Sequence, residues 1–267
     1  MSQLKTLLLI VDPQNDFCDP KGALFVPGAD HDIFRLSNMI EKHRDKIAHI
    51  ELTLDSHHWV HIAHPFFWIN EKNEEPKPFT QIRLEDVEGD TAKWRARFPK
   101  YRDYAINYIK KLNQEQRYTL TIWPPHCIMG TWGHNICYPL VEVLRHYEET
   151  FNTIHYTLKG SNPLTEHYSA IKAEIVHTGD ASTDVNKDLL EHISNYDSVI
   201  IAGEALSHCV ANTMKDIIKY LGKGVCSKFI ILEDASSNIP GFENYKEQFL
   251  NEMKHLNVRM AKTTDCF

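Results

Sequence analysis

The chain has 267 residues, 42% of them hydrophobic and 24% charged, with a formal net charge of -7. That composition suits a globular protein with a sizeable core. Charges of both signs are mixed along it without a basic stripe, which argues against a nucleic-acid partner, and no stretch approaches the roughly 20 apolar residues of a membrane helix. Residues 4–11 read as a buried parallel strand ending at Asp12; its apolar run is too short for a signal segment. Residues 13–17 read as a polar turn, and Asp30 is placed to cap a helix over 31–44, with Ile33, Leu36, Met39 and Ile40 inward. Residues 47–54 form a second strand ending at Asp55, and a histidine-rich loop follows over 56–64. The stretch from about 65 to 117 holds Pro76, Pro78 and Pro99 and many charges, and reads as an insertion carrying a helix over 104–112. A short strand is expected over 118–122, and a helix over 139–147 with proline in its first turn. Another strand, 151–158, ends at Lys159-Gly160, and Ser182 or Thr183 caps a helix with Val185, Leu189 and Ile193 on one face. The apolar run 198–202 stops at Gly203. A helix then begins near Cys209, with Val210, Met214, Ile217, Ile218 and Leu221 at helical spacing and Gly222 and Gly224 at its end. A strand over 229–232, a helix over 242–255 and a strand over 258–261 close the chain.

Strands alternating with helices predict a three-layer α/β/α fold around a mostly parallel sheet, one domain over 1–267 with the insertion at about 65–117. Asp12, Asp55, Lys159 and Gly203 each follow a predicted strand, which places them along one sheet edge, where ligands bind.

Cys209 at a helix N-terminus is positioned to ionise and act as a nucleophile. Asp12 could take its proton, and Lys159 could hold the thiolate. With two backbone N–H groups for an oxyanion, the set suits acyl transfer through a thioester. Asp55-Ser56-His57 puts a carboxylate and an imidazole on one side of an extended segment, and His126 can add a third ligand. One Asp and two His suit a divalent ion, Zn²⁺ foremost, with Fe²⁺ or Mn²⁺ as alternatives. His61 and His64 are candidates for a further ligand or for partners that orient the ligands; Cys127 is a further candidate ligand, with a packed thiol the favoured reading. The six cysteines contain no CxxC pair, so free thiols and a cytoplasmic location are expected.

The opening stretch Leu8-Leu9-Ile10-Val11-Asp12-Pro13-Gln14-Asn15-Asp16-Phe17 resembles that of the nicotinamidase/isochorismatase-like cysteine hydrolases. Three further blocks follow in that family's order: Asp55-Ser56-His57; Trp123-Pro124-Pro125-His126-Cys127 with Gly130-Thr131 and Gly133; and Lys159-Gly160 with Gly203 through Cys209-Val210 and Thr213. Nicotinamidases are the branch most resembled. The resemblance implies an isochorismatase-like fold, an Asp12, Lys159, Cys209 triad, and Asp55, His57 and His126 as metal ligands. It also implies that Phe17 and Trp123 flank a pyridine ring, and that Ala205, after a cis peptide, shares the oxyanion hole with the Cys209 N–H. The implied reaction is hydrolysis of nicotinamide to nicotinate and ammonia, the partner being a small carboxamide; assembly as a homo-oligomer is left open.

Four features depart from the family pattern. Ser207 stands where many relatives are acidic, Glu204 where an apolar residue is common, the loop 55–64 follows its own pattern after His57, and the insertion is long. Two other readings are therefore carried: a cysteine hydrolase of another carboxamide or carbamoyl substrate, and a non-catalytic metal-binding or interaction protein.

Overall fold

The computed structural model describes residues 4–90, 92–115 and 118–267. Thr91, Gln116 and Arg117, which belong to the expected insertion, lie outside the described residues. In chain order the strands are β1 (Thr6–Val11), β2 (Ile47–Asp55), β3 (Trp68–Ile69), β4 (Gln81–Ile82), β5 (Arg95–Ala96), β6 (Leu120–Thr121), β7 (Ile154–Lys159), β8 (Ser198–Gly203), β9 (Phe229–Leu232) and β10 (Arg259–Ala261). The helices are α1 (Asn15–Cys18), α2 (Ala29–His43), α3 (Arg102–Glu115), α4 (Leu140–Glu148), α5 (Lys187–Ser194), α6 (Ala211–Leu221) and α7 (Glu243–His255).

Six strands form the central sheet in the order β10-β9-β8-β1-β2-β7, every pair parallel. β1 is buried on both faces and reads as unbroken apolar sequence, as a central parallel strand must. From β1 the chain steps outward to β2 and β7 through α2 and α4. It then returns across the sheet through α5 and steps the other way through α6 and α7. Right-handed crossovers in opposite directions lie on opposite faces. Accordingly α2 packs on α4 and α5 on α6, which gives three layers. The direction reverses beside β1, so the crevice at the carboxyl ends of β1 and β8 is the natural ligand site.

Register then brings the strand ends together: Val11 pairs with Gly203, and Asp55 with Lys159. Gly203, at φ +113°, has no alternative, because a Cβ there would lie 2.0 Å from the Val11 carbonyl oxygen. The segment after β2 contributes two small antiparallel pairs, β3 with β5 and β4 with β6, and the helix α3.

Four local expectations are corrected. Residues 13–17 do not form a polar turn; Asn15–Cys18 is a short buried helix, because Asn15 and Asp16 find partners inside. Asp30 does not cap α2, since Gly28 in a left-handed conformation occupies that position and places Asp30 in the first turn. α5 is capped by Asn186, whose side chain accepts from the Leu189 N–H, whereas Ser182 and Thr183 sit in a separate turn capped by Asp180. The strand over 118–122 shrinks to β6 and pairs with β4 instead of joining the main sheet. No described helix is long and apolar enough to cross a membrane.

Candidate active site

Asp12 follows β1 in a left-handed conformation, at φ 47°. Its N–H donates to the Thr53 carbonyl, and the Thr53 hydroxyl donates to its Oδ1 at 2.6 Å, so neighbouring β2 fixes the carboxylate. Lys159 ends β7 and is only 2% exposed. Its Nζ lies 2.9 Å from Asp12 Oδ2, 3.1 Å from Asp55 Oδ1 and 3.5 Å from Cys209 Sγ, and it also donates to the His167 carbonyl at 3.1 Å. The three expected groups therefore meet, and Asp55 joins them.

Cys209 does not begin a regular helix. Leu206–Val210 is a wide π-turn, and α6 starts at Ala211. The Val210 N–H reaches back to the Ala205 carbonyl, and the peptide between Glu204 and Ala205 is cis, where the resemblance placed it. The thiol also differs from expectation. Burial pushes its pKa well above the usual thiol range, the Lys159 ammonium opposes this, and the charges of Asp12 and Asp55 and a hydrogen bond to Asp12 add to it. Burial likewise raises Asp12 against the pull of Lys159. The resting proton therefore sits on sulfur, with a carboxylate beside it to take it.

Asp55 Oδ2 lies 2.9 Å from His57 Nε2 and 3.3 Å from His126 Nε2. Both imidazoles have the other ring nitrogen on a backbone carbonyl, His57 Nδ1 with Gly160 at 3.1 Å and His126 Nδ1 with Pro124 at 2.8 Å. If each Nδ1 carries the proton, each Nε2 is a free lone pair. His57, His64 and His126 each offer a donor within 4.8 Å of the others, and all three are buried. Neither ring nitrogen of His64 has a hydrogen-bond partner among the described residues, whereas His61 has both occupied, by the Thr165 carbonyl and the Ala63 N–H. Buried orphan donors beside a carboxylate fit a divalent cation, and they favour His64 over His61 as the further ligand. Burial works against the Asp55 charge, but His57 and Lys159 hold it well below the usual carboxylate range. Gly160 closes this wall: a Cβ would fall 2.7 Å from Asp55 Oδ1 and 2.8 Å from His57 Cε1. Cys127 is a buried thiol raised by burial, as expected of a packed one.

A small pocket between thiol and imidazoles is lined by Phe17, Trp123, His126, Ala205 and Cys209. Phe17 meets His126 edge-on at 5.3 Å, and Trp123 Nε1 donates to the Tyr168 hydroxyl at 3.1 Å. Sequence reasoning missed five lining residues, the apolar Leu24 and Ile239 and the polar Glu166, Tyr168 and His208. Glu166 Oε2 and His208 Nε2 are buried without hydrogen-bond partners among the described residues. His208 adjoins Cys209 and could have been noticed; Glu166 and Tyr168 lie in a loop with no periodicity to mark them.

With the geometry in place, comparison with known proteins is direct. The three-layer fold is isochorismatase-like, as in solved nicotinamidase structures. In sequence the chain is similar to nicotinamidases. It is 29% identical to a nicotinamidase of Saccharomyces cerevisiae over 212 residues, 79% of either chain. It is 26% identical to a nicotinamidase of Escherichia coli, over 79% of this chain and 76% of that one. Among solved structures, an Acinetobacter baumannii nicotinamidase/pyrazinamidase matches with a TM-score of 0.65 at 22% identity over the full length of both. The yeast nicotinamidase bound to the inhibitor nicotinaldehyde matches at 0.64 and 22% identity, covering 96% of this chain and 99% of that one. A Pyrococcus horikoshii pyrazinamidase in complex with zinc matches at 0.57 and 22% identity, covering 97% and 99%. No family model matches the chain.

Proposed function

We propose that this protein is a metal-assisted cysteine amidohydrolase that converts nicotinamide and water to nicotinate and ammonia. The observation that carries the reading is the buried Lys159 Nζ, in reach of Asp12, Asp55 and Cys209 at once, where Asp55 and Cys209 line an aromatic pocket. Asp12 takes the proton from Cys209 as the sulfur attacks the carboxamide carbon. The N–H groups of Ala205 and Cys209 hold the oxyanion, and Lys159 compensates the charge that moves between sulfur and carboxylate. The C–N bond breaks, Asp12 returns the proton to nitrogen, and ammonia leaves. Water, losing a proton to Asp12, then attacks the thioester; the C–S bond breaks and the thiol is restored. Phe17 and Trp123 flank the ring, with the rings of Tyr168 and His208 completing the wall. Asp55, His57, His126 and His64 are the residues that would hold a divalent ion, zinc by analogy with the Pyrococcus structure. When bound, that ion would accept the ring nitrogen and polarise a water.

The yeast and Escherichia coli relatives, both nicotinamidases, support the substrate, and the yeast structure with nicotinaldehyde supports a pyridine ring in such a pocket. One shared hydrophobic core joins side chains of residues 65–115 to those of the central sheet, which supports a single domain with an inserted segment. All six cysteines are free, in keeping with a cytoplasmic setting.

The test is ammonia release from nicotinamide by zinc-loaded protein. Cys209→Ala is expected to lower kcat by at least about 10³-fold with the zinc content unchanged. Equal turnover in both proteins would exclude Cys209 as nucleophile, and turnover of other carboxamides alone would move the substrate assignment.

A further inference from the structure

A second group of histidines lies away from the thiol. Residues His49 and Glu51 are two apart on β2 and so share a face. His155 on β7 is the register partner of Glu51, and His192 comes down from the last turn of α5 onto the same face. The imidazole centroids are 4.4 Å apart for His49 and His155, 4.8 Å for His49 and His192, and 4.9 Å for His155 and His192. Each offers a donor within 4.8 Å of the other two.

We propose that His49, Glu51, His155 and His192 form a second site for a divalent transition metal, zinc foremost, stapling the edge strand β7 to β2 and α5. Glu51 Oε2 lies 3.8 Å from His155 Nδ1 and 3.7 Å from His192 Nε2. Donors of a tetrahedral zinc site with bonds near 2.1 Å are about 3.4 Å apart, so the Glu51 contacts need only a few tenths of an ångström of closure, and side-chain rotation brings in imidazole donors that lie within 4.8 Å of one another. The other oxygen of Glu51 accepts the Thr157 hydroxyl at 2.7 Å, an outer-shell bond of the kind that fixes a ligating carboxylate. Glu51 is 3% exposed, and His49 Nε2 and His192 Nε2 are buried with no hydrogen-bond partner among the described residues. Such orphan donors around a buried carboxylate are costly unless a cation joins them.

Burial together with His155, His192 and Lys5 lowers His49 to about 4, and burial lowers His192 too. Lys5 is the one opposing charge these shifts register; its ammonium is engaged over the Tyr196 ring at 4.7 Å. Four protein donors make a closed, structural set, unlike a catalytic centre with an open position. Glu51 and His155 each lie four residues before Asp55 and Lys159, about 13 Å down the strands, so the two sites do not share ligands.

The test counts Zn²⁺ bound per full-length chain in competition with a chromophoric chelator, for wild type, His155→Gln and His192→Gln. The His155 side chain is 54% exposed, so its replacement leaves the core alone. Each variant is expected to bind one equivalent fewer than wild type, whatever the other centre holds. Zn²⁺ should also raise the Tm of wild type more than that of His155→Gln, with nicotinamide turnover within about twofold. Variants that bind as many equivalents as wild type, or a wild-type excess that the chelator removes at micromolar strength, would overturn the site.

Discussion

One proton passes between Cys209, at the floor of the pocket, and Asp12, which is fully buried beside it. A thiolate made ready in advance would need more positive charge than Lys159 supplies, because burial and two carboxylates press the other way. The sulfur is therefore activated as it attacks, by a base held in place by Thr53. A different acid, Glu204, shows the same physics in a structural role. Burial and the neighbouring Asp32 carboxylate push its pKa well above the usual range, while the Ser237 N–H donates to it at 3.0 Å. A carboxyl raised on folding contributes stability that is fully present below its unfolded pKa and is lost as pH climbs through the folded one. Glu204→Gln keeps the shape and removes the ionisation. Its unfolding free energy relative to wild type, from urea melts, is expected to rise from pH 5 toward pH 9, by about 1.4 kcal/mol for each unit separating the folded and unfolded pKa. A difference that stays flat across that range would show that Glu204 does not titrate against the fold.

At the level of single elements, helix starts are decided by which polar side chain actually reaches a free N–H. Ser182, Thr183 and Asn186 are all capping types within five positions, and only Asn186 meets the first turn of α5, with the Leu189 N–H at 3.0 Å. Asn186→Ala is expected to cost about 1 kcal/mol in urea unfolding and Ser182→Ala much less; equal costs would move the cap. Asp30 was misplaced for a related reason, since a glycine in a left-handed turn can start a helix without any side-chain cap. The strands were easier to read. Unbroken apolar runs such as 7–11 and 199–202 admit few alternatives in an α/β chain, and Asp12, Asp55, Lys159 and Gly203 fell at their ends as expected. What the sequence could not show was contact between distant loops. Nothing in residues 56–64 separates His61 from His64, because the difference lies in Thr165, which occupies one and not the other.

Over the whole molecule, the reversal of chain direction beside β1 gathers four separate segments at one edge, and this was inferred from alternation alone. The insertion's small antiparallel pairs were not, since two-residue strands leave no periodic trace. One consequence follows from the position of Lys159, whose single ammonium is claimed by Asp12 on one side and Asp55 on the other. The base and the ligand set are thereby wired to a common electrode. Neutralising Asp55 with an ion frees that charge for the thiol, while stripping the ion returns it. Iodoacetamide labelling of Cys209 at fixed neutral pH is thus expected to slow when zinc is removed by chelation and to recover on readdition. The nucleophile would then serve as a gauge of occupancy at a centre it does not touch, legible without any substrate present.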